Sequence, residues 1–336
     1  MMKALVLRRY GKADQIVLAD ISPPTIAPDE MLVEVHAAGL NPIDYMIAKG
    51  TFKPILKFQL PITMGSDLAG VVVEVGSSVT RFKRGDSVFA STFELGTGAL
   101  AEFAVVPEHT AAIKPAKLNF VQAASIPMVG LTSWQALKER ARLEPGQKVF
   151  IPAGSGGIGT FAIQLAKHLG AKVATTTSTS NVALVRSLGA DEVIDYKQQA
   201  FEDVLRDYDV VLGTVRGDAI AESLGILKPR SSIVSLVGPP DAAFARARGM
   251  GLLMQLVFGL ISGKIIRQAK RRGVEYSFLF ARPDGRQLAE IGGLLEAGHI
   301  HPVIDKVFPL DKAKEALAYL ETGRAKGKVV VQVGRM

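Results

Sequence analysis

The sequence predicts an α/β protein of two domains, a doubly wound parallel sheet inserted into a β-rich unit. Three observations carry this. Up to about residue 125, short β-branched runs are bounded by glycine and proline. Beyond it, strand-like runs alternate with helical patterns of about ten to fourteen residues, the signature of βαβ units and a parallel sheet. The glycine run Gly154-Ser155-Gly156-Gly157-Ile158-Gly159 joins the first of these strands to the first helix. At 336 residues the chain has enough surface to bury two cores.

In the first third, Leu32–His36 alternates in and out, and Gly70–Gly76 is a β-branched run closed by glycines. Strands follow at Ser87–Ala90 and Ala101–Val106, with one short helix over Pro42–Lys49. In the second region, strands are expected at Lys148–Ile151, Lys172–Thr177, Val193-Ile194, Tyr208–Leu212 and Ser232–Val237. Between them lie helices at Ile158–Leu169, Asn181–Leu188 and Asp218–Leu227. A strand at Glu275–Phe280, helices at Asp284–Ala297 and Asp311–Thr322, and a strand at Lys328–Val333 complete the chain. The predicted domains are 1–124 with 285–336, and 125–284.

Gly154–Gly159 fits G-x-G-x-x-G directly after a strand and at the opening of a helix. The glycines permit a tight turn, close approach of backbone to a pyrophosphate, and close helix–strand packing; the helix N-terminus offers unpaired N–H groups. This predicts a Rossmann-type dinucleotide-binding domain. An NAD-binding unit places Asp or Glu about 20 residues further on, against the ribose 2′-OH. Here the second strand ends Thr175-Thr176-Thr177-Ser178-Thr179-Ser180-Asn181, with no acid before Asp191. A carboxylate there would repel a 2′-phosphate, whereas hydroxyls and an amide accept one, so NADP is expected, with Ser178 and Asn181 among its contacts. Arg186 and Lys197 are the nearest cations.

Beyond the loop, six segments in order resemble the medium-chain dehydrogenase/reductase superfamily, in its zinc-independent quinone oxidoreductase branch. They are Ala38–Asp44, Gly65–Val72, Phe82–Val88, Gly130–Leu137, Leu188–Tyr196 and Gly327–Val331, together with the glycine loop. The tail is most similar to the alkenal/enone reductases and the reticulon-interacting mitochondrial oxidoreductases. The resemblance implies a GroES-like catalytic domain interrupted by the nucleotide domain, with the active site in the cleft between them. It implies NADPH contacts from Asn41, Thr132, Ser155, Gly156, Gly157, Ile158, Ser178, Tyr196 and Lys328. Val237 and Phe280 join this set, Phe280 beside the nicotinamide. It further implies a homodimer through the edge of the nucleotide-domain sheet.

Zinc members of this superfamily carry a Cys ligand and a Gly-His-Glu segment; here the segment is Gly65-Ser66-Asp67, and the chain has no Cys. With no Lewis acid expected, the chemistry implied is hydride delivery to an electron-poor acceptor: a quinone, or the C=C of an α,β-unsaturated carbonyl. Tyr45, a phenol beside Asp44, is the candidate proton donor. The His299-x-His301 pair sits in a solvated loop pattern, and His36, His109 and His168 have no spacing that suggests catalysis. No metal site is expected.

The formal net charge is +8. Residues 239–273 hold Arg246, Arg248, Lys264, Arg267, Lys270, Arg271 and Arg272 against Asp241 alone, seven minus one, or +6. So local a charge argues against nucleic acid as the main partner. Two readings of the segment stay open: helices with solvated charges beside the substrate cleft, or a membrane-surface contact through 246–272. The longest mostly apolar run, 249–262, is too short to span a bilayer. The start of the chain has too short an apolar run for a secretory signal, so a cytoplasmic protein is expected. The alternative function is an NADPH-binding protein with little turnover, acting through a membrane or nucleic-acid partner.

Overall fold

A computed structural model describes residues 1–11, 13–56, 58–95 and 98–334. The chain divides into two units, Met1–Leu131 with Arg282–Met336, and Thr132–Ala281.

In the first unit the strands are β1 (Met2–Leu7), β2 (Ile16–Ile21), β3 (Glu30–Leu40), β4 (Ile62–Thr63), β5 (Asp67–Val75), β6 (Ser87–Ser91), β7 (Phe103–Pro107) and β8 (Ala111–Ile113). Among the described residues β2, β1 and β4 make a small antiparallel sheet. Strand β3 lies at the centre of a larger sheet, paired antiparallel with both β5 and β7. The inward side chains, among them Met31, Val33, Leu68, Val72 and Val88, form one apolar core with Leu5 and Leu7 of β1. Gly70 sits where β3 and β5 come closest, since a Cβ there would stand 2.0 Å from the Glu34 carbonyl oxygen.

The second unit holds β9 (Lys148–Ile151), β10 (Lys172–Thr177), β11 (Glu192–Asp195), β12 (Tyr208–Gly213), β13 (Leu227–Ser235) and β14 (Glu275–Phe278). They form a parallel sheet in the order β11-β10-β9-β12-β13-β14. Renumbered from its first strand this is 3-2-1-4-5-6, the Rossmann order, whose switch point lies between β9 and β12. Phe150, Val211 and Ile233 of the central strands are buried with Leu205, Tyr208 and Ile265. Returning to the first unit, the chain adds β15 (Ile304–Pro309) and β16 (Lys328–Gln332), the latter antiparallel to β3.

The division between units differs from the sequence expectation at both ends. Residues 125–131 go with the first unit because the Met128 N–H donates to the buried carboxylate of Asp67 at 3.1 Å. Residues 282–284 do so because Asp284 caps the helix Gly285–Glu296, accepting from the Arg286 and Gln287 N–H groups. Strand β13 begins at Leu227 and ends at Ser235, earlier at both ends than expected, and the helix before it shortens to Ala219–Ser223. Strand β14 stops at Phe278, two residues before Phe280.

The basic segment forms two helices, Ala242–Ala247 and Leu252–Arg271. The second, at 20 residues, is long and apolar enough by composition to cross a bilayer, which the shorter run read from the sequence was not.

Candidate functional site

After β9 the chain turns through Pro152–Gly156 into the helix Gly157–His168. Ala153 takes a positive φ of 55°, costly for an L residue, held by its N–H donating to Thr176 Oγ1 at 3.1 Å. Gly154 donates to the Thr176 carbonyl at 2.9 Å. A Cβ on Gly154 would stand 2.1 Å from Thr175 Oγ1, and one on Gly159 would stand 2.5 Å from the Ala153 carbonyl. Both glycines are therefore required by close packing, and the loop leaves the first N–H groups of the helix for an anion. This cradle fits a dinucleotide pyrophosphate.

The neighbouring strand end supplies hydroxyls. Thr177 Oγ1 donates to Ser155 Oγ at 3.0 Å, and Asn181 Nδ2 donates to Ser155 Oγ and Ser178 Oγ, each at 3.2 Å. Ser155, Ser178 and Asn181 thus form one half-buried polar cluster beside Gly156, Gly157 and Ile158. The Tyr196 N–H donates to the Thr177 carbonyl, which sets this tyrosine, 60% exposed, at the same edge of the sheet. A carboxylate also lies there that the sequence reading passed over. Asp195 accepts from Thr179 Oγ1 at 2.6 Å and from the Lys197 N–H at 3.0 Å, and these bonds hold it below the usual carboxylate range.

Val237 and Phe280 lie just past the carboxyl ends of β13 and β14, where Leu236 and Leu279 donate to the Gly213 and Ser235 carbonyls. The Phe280 ring packs against Phe244, with the Arg248 guanidinium 5.3 Å from its centroid. Thr132 is buried in the helix Pro127–Trp134. The expected nucleotide contacts of this unit, Thr132 apart, are thereby placed at the carboxyl ends of the parallel strands, where open α/β sheets bind ligands.

Asn41, Tyr45 and Lys328 belong to the first unit, and two of them are not surface contacts at all. Asn41 follows β3 in extended conformation before Pro42, which opens the helix Pro42–Ala48 at its first position. Asp44, in the first turn of that helix, reaches back to the Asn41 N–H at 2.7 Å. The Asn41 side chain turns inward, its Nδ2 donating to Asp67 at 2.9 Å and its Oδ1 accepting from Lys328 Nζ at 2.5 Å. Lys328 Nζ also donates to the Leu40 carbonyl at 2.8 Å and lies 3.6 Å from Asp67. Ser66 Oγ donates to Asp44.

All five side chains are buried. Burial pushes Asp67 up and Lys328 down, while the charge of each partner and the hydrogen bonds around them oppose these shifts. Asp44 is different. Burial pushes it up to about 7, and neighbouring Asp67 adds to this, against the hydrogen bonds from Ser66 and Asn41 and the charge of Lys328. Asp44 and Ser66 also line a cavity of about 30 Å³, with Met64, Thr92 and Phe93 among its walls, large enough for a water-sized group.

Tyr45 is half-buried against the core of this unit, with Lys49 Nζ 5.5 Å from its ring centroid. It does not line that cavity. The Asp44–Ser66 pair was missed because a serine 22 residues away from an aspartate carries no local signal.

Comparison with known proteins follows this geometry. Residues 27–116 match the alcohol dehydrogenase GroES-like domain, 188–331 the zinc-binding dehydrogenase family, and 141–220 the alanine dehydrogenase/PNT C-terminal domain. The NAD(P)H oxidoreductase RTN4IP1, mitochondrial, of Danio rerio is 35% identical over 99% of this chain and 91% of its own length. The chain belongs to the medium-chain dehydrogenase/reductase superfamily. The NADPH-dependent alkenal/one oxidoreductase, chloroplastic, of Arabidopsis thaliana is 35% identical, covering 98% of this chain and 79% of its own. A solved structure of the quinone oxidoreductase from Coxiella burnetii superimposes with a TM-score of 0.85 at 33% identity over 99% of each chain.

The superfamily includes zinc enzymes, but these residues do not fit the metal. Ser66 is committed to Asp44, and Asp67 to Lys328, Asn41 and the Met128 N–H. Among the described residues no three His, Asp or Glu side chains converge.

Proposed function

We propose that this member of the superfamily is an NADPH-dependent oxidoreductase that reduces a quinone or the C=C of an α,β-unsaturated carbonyl. The observation that carries the reading is the glycine cradle after β9, bordered by hydroxyl and amide donors, in a chain with no cysteine. Names of its relatives support it: one is an NADPH-dependent alkenal/one oxidoreductase and another a quinone oxidoreductase.

When bound, NADPH supplies the hydride. Gly154, Gly156, Gly157 and the helix N-terminus would hold its pyrophosphate, and Ser178 and Asn181 its 2′-phosphate. Asn41 and Lys328, tied to each other and to Asp67, would fix the end of β3 from which the helix Pro42–Ala48 departs. Each two-electron reduction also consumes a proton. With Asp44 protonated, its O–H donates to Ser66 Oγ and turns the serine O–H toward the cavity. A water in the cavity would carry the proton from Ser66 to the reduced substrate, Asp44 would restore the serine proton, and Lys328 would stabilise the carboxylate left behind. Tyr45 competes for this role, and Tyr45→Phe against Ser66→Ala separates the two.

A homodimer through the outer edge of β14 and cytoplasmic residence on a soluble NADPH pool belong to the same reading. The experiment is NADPH oxidation with a panel of a naphthoquinone, an alkenal, a cyclic enone and a 2-alkenone. Turnover with at least one is expected; silence across the panel despite tight NADPH binding overturns the reading.

A further inference from the structure

The helix Leu252–Arg271 carries two opposed stripes. Phe258, Ser262, Ile265 and Ala269 recur at intervals of three and four and are buried, Phe258 stacking on Phe244 and Ile265 joining the core of the second unit. On the other side lie Leu252, Leu256, Leu260, Lys264, Arg267 and Arg271, again at intervals of four and three. Leu252, Leu253, Leu256 and Leu260 are 84%, 73%, 61% and 72% exposed. Among the described residues five of the eleven exposed large apolar side chains, Ile261 included, fall on this one helix. Isolated exposed leucines need no explanation; a row of them on one face does.

Charge says what covers the row. No Asp or Glu occurs between Asp241 and Glu275. The leucines occupy the first half of the stripe, about 12 Å at 1.5 Å per residue, and exposed Lys264, Arg267, Lys270 and Arg271 continue it. Apolar side chains followed by a run of cations fit a surface with an oily interior and an anionic rim. The buried stripe also decides the orientation: the helix is fastened against β14 and the helix Ala242–Ala247, so it cannot leave to cross a bilayer.

We propose that Leu252–Arg271 docks in the plane of an anionic lipid bilayer, its leucines at the boundary of headgroups and acyl chains and its cations over the headgroups. The docking rests on the reductase reading only for its purpose, access to a lipid-soluble quinone. Its failure and the failure of that reading are measured separately.

The test is flotation of the full chain with phosphatidylcholine vesicles, with and without about 30% phosphatidylglycerol, at low salt. NADPH oxidation with a water-soluble naphthoquinone is followed in parallel. Binding to the anionic vesicles alone is expected. The triple variant Leu253→Glu, Leu256→Glu, Leu260→Glu should lose it at least tenfold with soluble-quinone turnover unchanged. A second variant, Lys264→Gln, Arg267→Gln, Arg271→Gln, should abolish the preference for anionic lipid while the leucines remain. Absence of binding, or binding that both variants retain, overturns the proposal. So does a lipid-free dimer that the leucine variant converts to monomer by sedimentation, since a second copy then covers the face. If vesicles bind but no quinone turns over, the reductase reading fails and the docking stands.

Discussion

After β9 the polar site is made almost wholly from backbone within six consecutive residues, whereas in the first unit it is made from side chains of Asn41, Asp44, Ser66, Asp67 and Lys328, drawn from the end of β3, a helix, both sides of the start of β5, and β16. The loop tolerates water, because its purpose is to present N–H groups outward. The cluster bonds mostly to itself at full burial, and only Asp44 and Ser66 face a water-sized cavity. Removing one element of the loop should therefore weaken binding, and removing the cluster's cation should threaten the fold.

The largest effect should come from the cluster's cation. Lys328→Met strands Asp67 without its counter-charge, and a loss of about 3–5 kcal/mol in urea unfolding is expected. Adding Asp67→Asn should recover most of it. If the single variant costs no more than a surface substitution, the cluster is not the charged unit described.

Asp44→Asn comes next and touches chemistry more than stability. The donor is the protonated acid, so enone reduction should fall in the wild type as pH rises through about 7, where Asp44 ionises. In the variant kcat/KM should drop about 100-fold at pH 6 and that fall should disappear. A pH profile identical in both proteins would return the proton to Tyr45 or to solvent.

The loop predictions are smaller. Gly154→Ala drives a methyl into Thr175 Oγ1, which now donates to the Ile151 carbonyl at 2.6 Å. Overpacking of this kind costs about 1–3 kcal/mol. Thr175→Ala in the same chain should relieve it, measured by thermal unfolding with and without NADPH. Asn181→Ala removes hydrogen bonds to Ser155 and Ser178 and should raise the NADPH Kd by a few-fold, about 0.5–1.5 kcal/mol. Its effect on NADH should be weaker. Equal wild-type affinity for NADH and NADPH would defeat the reading of Thr175–Asn181.

The same contrast governs what could be read in advance. Strands β9 and β10 were legible to the residue, because a buried parallel strand is a short run of apolar or β-branched residues bounded by turn signals. The small sheet of β1, β2 and β4 was not: Met2–Leu7 is almost uniformly apolar and buried but for Lys3, so it carries no alternation to betray a strand. The long helix Leu252–Arg271 was legible as apolar and basic, but which side was buried depended on what packed against it.

Sequence alone determined the βαβ order, the glycine loop and the lack of a cysteine ligand, because these depend on residue type and local spacing. It also marked Asn41 and Lys328 as residues that matter. Only the tertiary structure decided how they act: 287 positions apart, they meet because β16 pairs with β3, and their partner Asp67 stands opposite Gly39 in β5. It likewise decided that Asp44 should titrate near neutrality. A carboxyl's charge depends on what replaces water around it, and no stretch of sequence near residue 44 states that.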